Sequence, residues 1–228
     1  MSVLIVSIIT LSSMINDNKI DLNRLYPNPI IDIKHQQEWQ MNLYEERIEQ
    51  FKKHPIGNNK IVFLGNSITE GILVRLDEII FYKPLAVFLL IGINDIFDTD
   101  IPNREKITPI YVANNIIKIA NQIIDHSPST EIFIQTILPI NHEIYIEENG
   151  FFPKHNVALS EQIIQINSMI MNQVAGQQYK VIDLHSVFTD QDGLMNREYT
   201  ADGVHLNNNG YSIWVDYIHG YIQDLQIK

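Results

Sequence analysis

The sequence predicts an α/β protein, a three-layer sandwich with a mostly parallel sheet and helices on both faces. Two observations predict it. Short apolar runs bounded by turn residues recur at "KIVFLG", "LAVFLLIG", "EIFIQTILP" and "YKVIDL", and such runs mark strands buried on both faces. Longer segments with apolar residues three and four apart stand between them. That spacing marks helices, and the alternation implies parallel strands joined by crossovers.

The elements follow in order. Residues 16–58 form a linker and a helical N-terminal extension, and 59–228 the α/β domain. Pro27 and Pro29 break the linker. Within 36–54 the residues Trp39, Leu43, Ile48 and Phe51 share a roughly helical spacing, and Pro55 and Gly57 end it. The first strand is 60–65 and the next helix 72–83, with Leu73, Leu76, Ile79 and Ile80 on one side. The second strand is 85–92. A helix follows over 109–126, with Thr108 as cap and Pro109 in the first turn. The third strand spans 131–139. The next helix spans 156–175, with Gly176 as its stop. The fourth strand is 179–184 and the closing helix 209–225.

Composition narrows the chemistry. The 228 residues carry 16 Lys+Arg against 27 Asp+Glu, a net charge of -11. A phosphate backbone is repelled by such a chain, which argues against a nucleic-acid partner. There is no cysteine, so disulfides, thiolate metal sites and a cysteine nucleophile are excluded. The apolar run "SVLIVSIITL" is too short to span a bilayer. Within residues 1–15 it reads either as a signal-peptide core, which would make the protein exported, or as a buried element at the domain edge of a cytoplasmic one.

Sites on open parallel sheets lie at the carboxyl ends of the strands. The polar residues found there are Asn66 and Ser67 after the first strand and Gly92, Asn94 and Asp95 after the second. Asn141 follows the third. Asp202 and His205 lie between the fourth strand and the last helix. A serine hydroxyl needs a base within reach to act as a nucleophile. His205 suits that role, and Asp202, three residues earlier, can orient its ring while Gly203 permits the bend. The Ser67 N–H and the Asn94 amide are candidate oxyanion donors, and Gly92 lets the backbone pass close to a substrate. Each residue also has a plain reading. "SITE" is a capping box formed by Ser67 and Glu70. "GIND" and "ADG" are turn chemistry. Three complementary groups on one rim favour the catalytic reading.

These stretches resemble the SGNH (GDSL-type) hydrolase family. "IVFLGNSITEG", "VFLLIGIND" and "DGVHLNNNGY" are similar to its serine, G-x-N-D and D-x-x-H blocks. "RLDEII", "KPLAVFLLIGINDI" and "DLHSVFTDQDGLMN" resemble the branch of platelet-activating-factor acetylhydrolase catalytic subunits and bacterial carbohydrate acetylesterases. The likeness covers about residues 36–225 and implies the flavodoxin-like SGNH sandwich. It implies Ser67 as nucleophile, His205 as base, Asp202 as its orienter and Asn94 as oxyanion donor, with no metal or organic cofactor. The implied substrate is a small-molecule ester, a short-acyl (acetyl) derivative of a carbohydrate or lipid. One block of the family is missing. Its second glycine, on a loop after a further strand, has no counterpart between Gly71 and Leu85. The gap amounts to roughly one βα unit. It leaves the first strand at a sheet edge, a surface suited to homodimer formation, and it removes one oxyanion donor. A catalytically degenerate domain that binds a ligand or partner is therefore the alternative function.

Overall fold

The computed structural model describes residues 57–65, 76–97, 107–174 and 177–225, with isolated positions between 42 and 54. Ser67, Asn66, Glu70 and Gly176, the start of the 72–83 helix, the 1–15 run and most of the 16–58 extension lie outside the described residues. The described positions of 42, 46, 49, 50, 52 and 53 are helical, in keeping with the expected N-terminal helix.

Four strands form one parallel sheet: β1 (Ile61–Gly65), β2 (Ala86–Leu90), β3 (Glu131–Gln135) and β4 (Tyr179–Ile182). They lie side by side in chain order, with Phe63 beside Phe88 and Phe88 beside Phe133. Among the described strands β1 and β4 are therefore terminal. The helices are α1 (Leu76–Tyr82), α2 (Ile93–Phe97), α3 (Pro109–His126), α4 (His142–Asn149), α5 (Leu159–Asn172), α6 (Leu184–Phe188) and α7 (Asn208–Gln223).

Strand alternation splits the core into two layers. Val87, Leu89, Ile132 and Ile134 face α3 and α5, meeting Ile116, Ile123, Ile163 and Ile170. Phe88, Leu90 and Phe133 face α6 and α7, meeting Phe188, Trp214 and Ile218. On this second face three phenylalanines stack across the strands, Phe63 on Phe88 at 5.1 Å and Phe88 on Phe133 at 4.5 Å between ring centres. Such offset stacks add to the burial energy of each ring. The Trp214 indole N–H donates to Gln135 Oε1 at 2.7 Å, which ties α7 to the end of β3. The outermost ring of the stack, Phe63, is 37% exposed. The sheet's second face is thus less completely covered at β1 than at β2 and β3.

Several segments differ from the sequence expectation, which includes neither of the short helices α2 and α6. The third strand ends at Gln135 rather than Pro139. The Asn167 side chain explains this: its Oδ1 accepts from Ile137 N at 2.8 Å and its Nδ2 donates to Ile137 O at 2.9 Å. A side-chain amide there replaces a neighbouring strand. Helix α5 ends at Asn172, before the expected glycine stop. Helix α4 was not anticipated, because Ile144 is its one buried residue and no apolar stripe announces it.

The cap on α3 behaves as the sequence suggests. Thr108 is extended and its hydroxyl accepts from Tyr111 N. Thr108→Ala should lower stability by about 1 kcal/mol, while Thr108→Asn should retain most of it. Urea denaturation of the two variants checks this.

Candidate active site

The carboxyl ends of the strands carry the candidate site. After β3 the chain runs through Pro139 and Ile140 to Asn141, which caps α4 by accepting from Ile144 N. Asn141 is buried, and its side-chain amide also donates to Met195 O at 2.9 Å. Its backbone N–H donates to Gly203 O at 2.7 Å. This bond docks the 200–207 segment against the end of β3.

Gly203 is required there for two reasons. Its φ is +87°, and a Cβ would lie 2.2 Å from Asn141 O and 2.9 Å from Tyr145 N. No L side chain fits that approach. The reversal brings Asp202 and His205 together. The His205 ring Nδ1 donates to Asp202 Oδ2 at 2.6 Å. The other carboxylate oxygen accepts from Val204 N at 2.9 Å and His205 N at 2.7 Å. With the proton on Nδ1, the lone pair needed by a general base sits on Nε2. The predicted pair is therefore assembled.

Burial pushes the Asp202 carboxyl up. The bonds from the His205 backbone, the His205 ring and the Val204 backbone outweigh that, and hold it below the ordinary carboxylate value of 3.8. Asp202 stays ionised and keeps the imidazole in one tautomer.

Asn94 is exposed on α2, two residues beyond Gly92 at the end of β2. Gly92 has φ +117°, and a Cβ would meet Ile137 Cδ1 at 2.7 Å and Val112 Cγ1 at 3.0 Å. Its glycine requirement thus arises from the core side chains beneath it. The imidazole of His155 fixes the far end of α2, with Nε2 donating to Ile96 O and Phe97 O at 3.1 and 2.9 Å. Between these segments lies an apolar hollow of about 280 Å³, its open mouth included. It is lined by Leu90, Ile91, Ile93, Ile137, Leu138, Pro139, Ile140 and Val204. Ile93 precedes Asn94 and Val204 precedes His205, so the hollow adjoins both segments. In sequence Asn141 is only a polar residue after the third strand, and the apolar lining of this hollow is indistinguishable from core. Among the described residues no cluster of three or more His, Asp or Glu is arranged to hold a metal ion.

The described domain is an α/β domain whose parallel sheet carries an Asp–His pair at its carboxyl edge. The family model of the GDSL-like Lipase/Acylhydrolase family matches residues 65–213, and the chain belongs to that family. It is a hydrolase of the GDSL class. Solved structures share the fold. A provisionally assigned acylhydrolase from Bacteroides fragilis is 20% identical over 85% of this chain and 100% of its own, with a TM-score of 0.64. A GDSL-like lipase from Bacteroides thetaiotaomicron is 19% identical over 79% and 97%, with a TM-score of 0.63. A provisionally assigned platelet activating factor from Streptococcus pneumonia is 24% identical over 79% and 92%, with a TM-score of 0.61. No curated protein matches the sequence.

Two outcomes follow from this geometry. Gly203→Ala should destabilise the fold and separate Asp202 from His205, seen as a lower melting temperature. Asp202 contributes stability that is complete above its unfolded value near 3.8 and is lost as pH falls through its lowered folded value. Between pH 5 and 2 the wild type should therefore lose more stability than Asp202→Asn. Urea midpoints measured across that range test the sign.

Proposed function

We propose that the protein is a serine esterase that cleaves a short-acyl ester of a carbohydrate or lipid through an acyl-serine intermediate. The observation that carries the reading is the Asp202–His205 hydrogen bond of 2.6 Å at the carboxyl edge of the sheet. Ser67, two residues beyond the end of β1, is the nucleophile. His205 Nε2 takes its proton and passes it to the leaving alcohol, while Asp202 steadies the imidazolium. The Ser67 N–H and the Asn94 amide stabilise the oxyanion, with Gly92 shaping the turn that presents Asn94. Water then attacks the acyl-serine, again assisted by His205, and releases the acid. The apolar lining of the shallow hollow beside Ile93 and Val204 supports an apolar acyl group at this rim.

A second reading is a domain that binds an ester, glycan or partner without turnover. The observation favouring it is the missing glycine block between Gly71 and Leu85. Loss of one oxyanion donor costs about 100- to 1,000-fold in rate, so the missing block weakens catalysis even with the triad complete. Homodimer formation through the β1 edge belongs with this reading too, since the outer side of β1 is where a second copy would pair.

The experiment uses purified protein with p-nitrophenyl acetate, butyrate and octanoate and with a fluorophosphonate probe. The expected result is labelling that Ser67→Ala abolishes, and turnover that prefers acetate and butyrate. Activity should fall on the acid side, because a protonated imidazole accepts no proton. Well-folded protein that takes no label defeats the esterase reading. Asn94→Ala should lower kcat by about 100-fold or more with little change in KM.

A further inference from the structure

Thr200 lies outside the D-x-x-H stretch and is nearly buried, with 6% of its surface exposed. Its hydroxyl spans the base of the loop that carries the Asp–His pair. Oγ1 accepts from Gly203 N at 2.8 Å and donates to His205 O at 2.8 Å. A hydroxyl has one proton and two lone pairs. Here the proton is committed to the carbonyl of the base, and a lone pair to the glycine that reverses the chain. The Ala201 N–H gives the His205 carbonyl a further bond at 3.0 Å. The Asn207 side-chain amide donates to the Thr200 carbonyl at 3.0 Å and holds Thr200 in place.

The loop is thus fastened from two sides. The Asp202 carboxylate holds the N–H groups of Val204 and His205. The Thr200 hydroxyl holds the N–H of Gly203 and the C=O of His205. Carboxylate and imidazole can approach to 2.6 Å because the backbone at both ends of their connection is fixed.

We infer that Thr200 is a positioning residue for the hydrolytic reaction, its hydroxyl setting the alignment of His205 against Asp202. The inference rests on the reading of His205 as the base. Valine has nearly the shape of threonine, so Thr200→Val removes the hydrogen bonds and keeps the volume. It leaves a buried Gly203 N–H without its acceptor, a state the loop relieves by shifting. Displacement of a catalytic group by about 1 Å costs about 100-fold.

The test compares wild type, Thr200→Val and Thr200→Ser in two measurements. One is hydrolysis of p-nitrophenyl acetate. The other is the low-field proton resonance of the His205–Asp202 bond, assigned by its loss in His205→Gln. Thr200→Val should lower kcat about 10- to 100-fold with KM within about twofold, and shift or abolish the resonance. Thr200→Ser, which restores the hydroxyl, should keep both within about threefold of wild type and leave the resonance in place. A folded Thr200→Val with unchanged kcat and resonance overturns the inference. Equal losses in Val and Ser variants also overturn it, since they would trace the effect to the methyl packing. If wild type turns over no ester while the resonance depends on the hydroxyl, the positioning role stands and the esterase reading fails.

Discussion

The approach of Gly203 to Asn141 is the constraint on which the candidate site depends. A loop near the carboxyl terminus has to reach the end of a strand some sixty residues earlier in the chain and remain there. The 2.7 Å bond from Asn141 N to Gly203 O achieves this, in a space where a Cβ would lie 2.2 Å from a backbone oxygen. Asn141 is itself fixed by its bonds to Ile144 N and Met195 O, and Met195 N returns a bond to Ile140 O. The Asp–His pair is therefore mounted on a buried, hydrogen-bonded junction. Such junctions are costly to open, because every group released would be an unpaired polar atom in the interior.

The sheet serves the site by what ends each strand. Beyond β2 the chain turns at Gly92, packed over Ile137, Val112 and Ile116, so Asn94 emerges on the rim. Beyond β3 the Asn167 amide binds both backbone groups of Ile137 and turns the chain from the ladder toward Asn141. Beyond β4 the Asp183 carboxylate caps α6 through Ser186 N and receives the Thr136 hydroxyl. Polar contacts thus turn the chain out of the ladder after β3 and β4, and a glycine does so after β2. The helices packed on the two faces bury the apolar cost of this arrangement.

Much of this was legible in the sequence. The four apolar runs, the Pro109 helix start with its Thr108 cap and the closing helix all follow from local patterns. The Asp202–His205 pairing was legible because three residues and a glycine suffice to bring the groups together, and the contact is local. The supports of that pair were not. Thr200 and Asn141 are ordinary polar residues in sequence; their roles come from contacts across a fold that places residue 141 beside residue 203. Helix α4 was hidden for a related reason. It buries Ile144 alone, so it lacks the apolar period that announces a helix and is held by its cap and by the loop packed on it.

The parts of the proposed site are supported unequally, and the inequality has a physical source. The Asp202–His205 segment is bonded to Asn141, beyond β3, and through Thr200 to Asn207, the cap of α7. Asn94 sits on a five-residue helix held by buried Ile93 and Ile96 and by the His155 imidazole at its far end. The serine segment follows β1, which pairs with a single neighbour among the described strands and carries the least covered ring of the phenylalanine stack. A strand with one partner has half the ladder bonds of an interior strand and opens at lower cost. On the proposed mechanism, the base therefore stands on a more firmly bonded part of the fold than β1, the strand that precedes the serine.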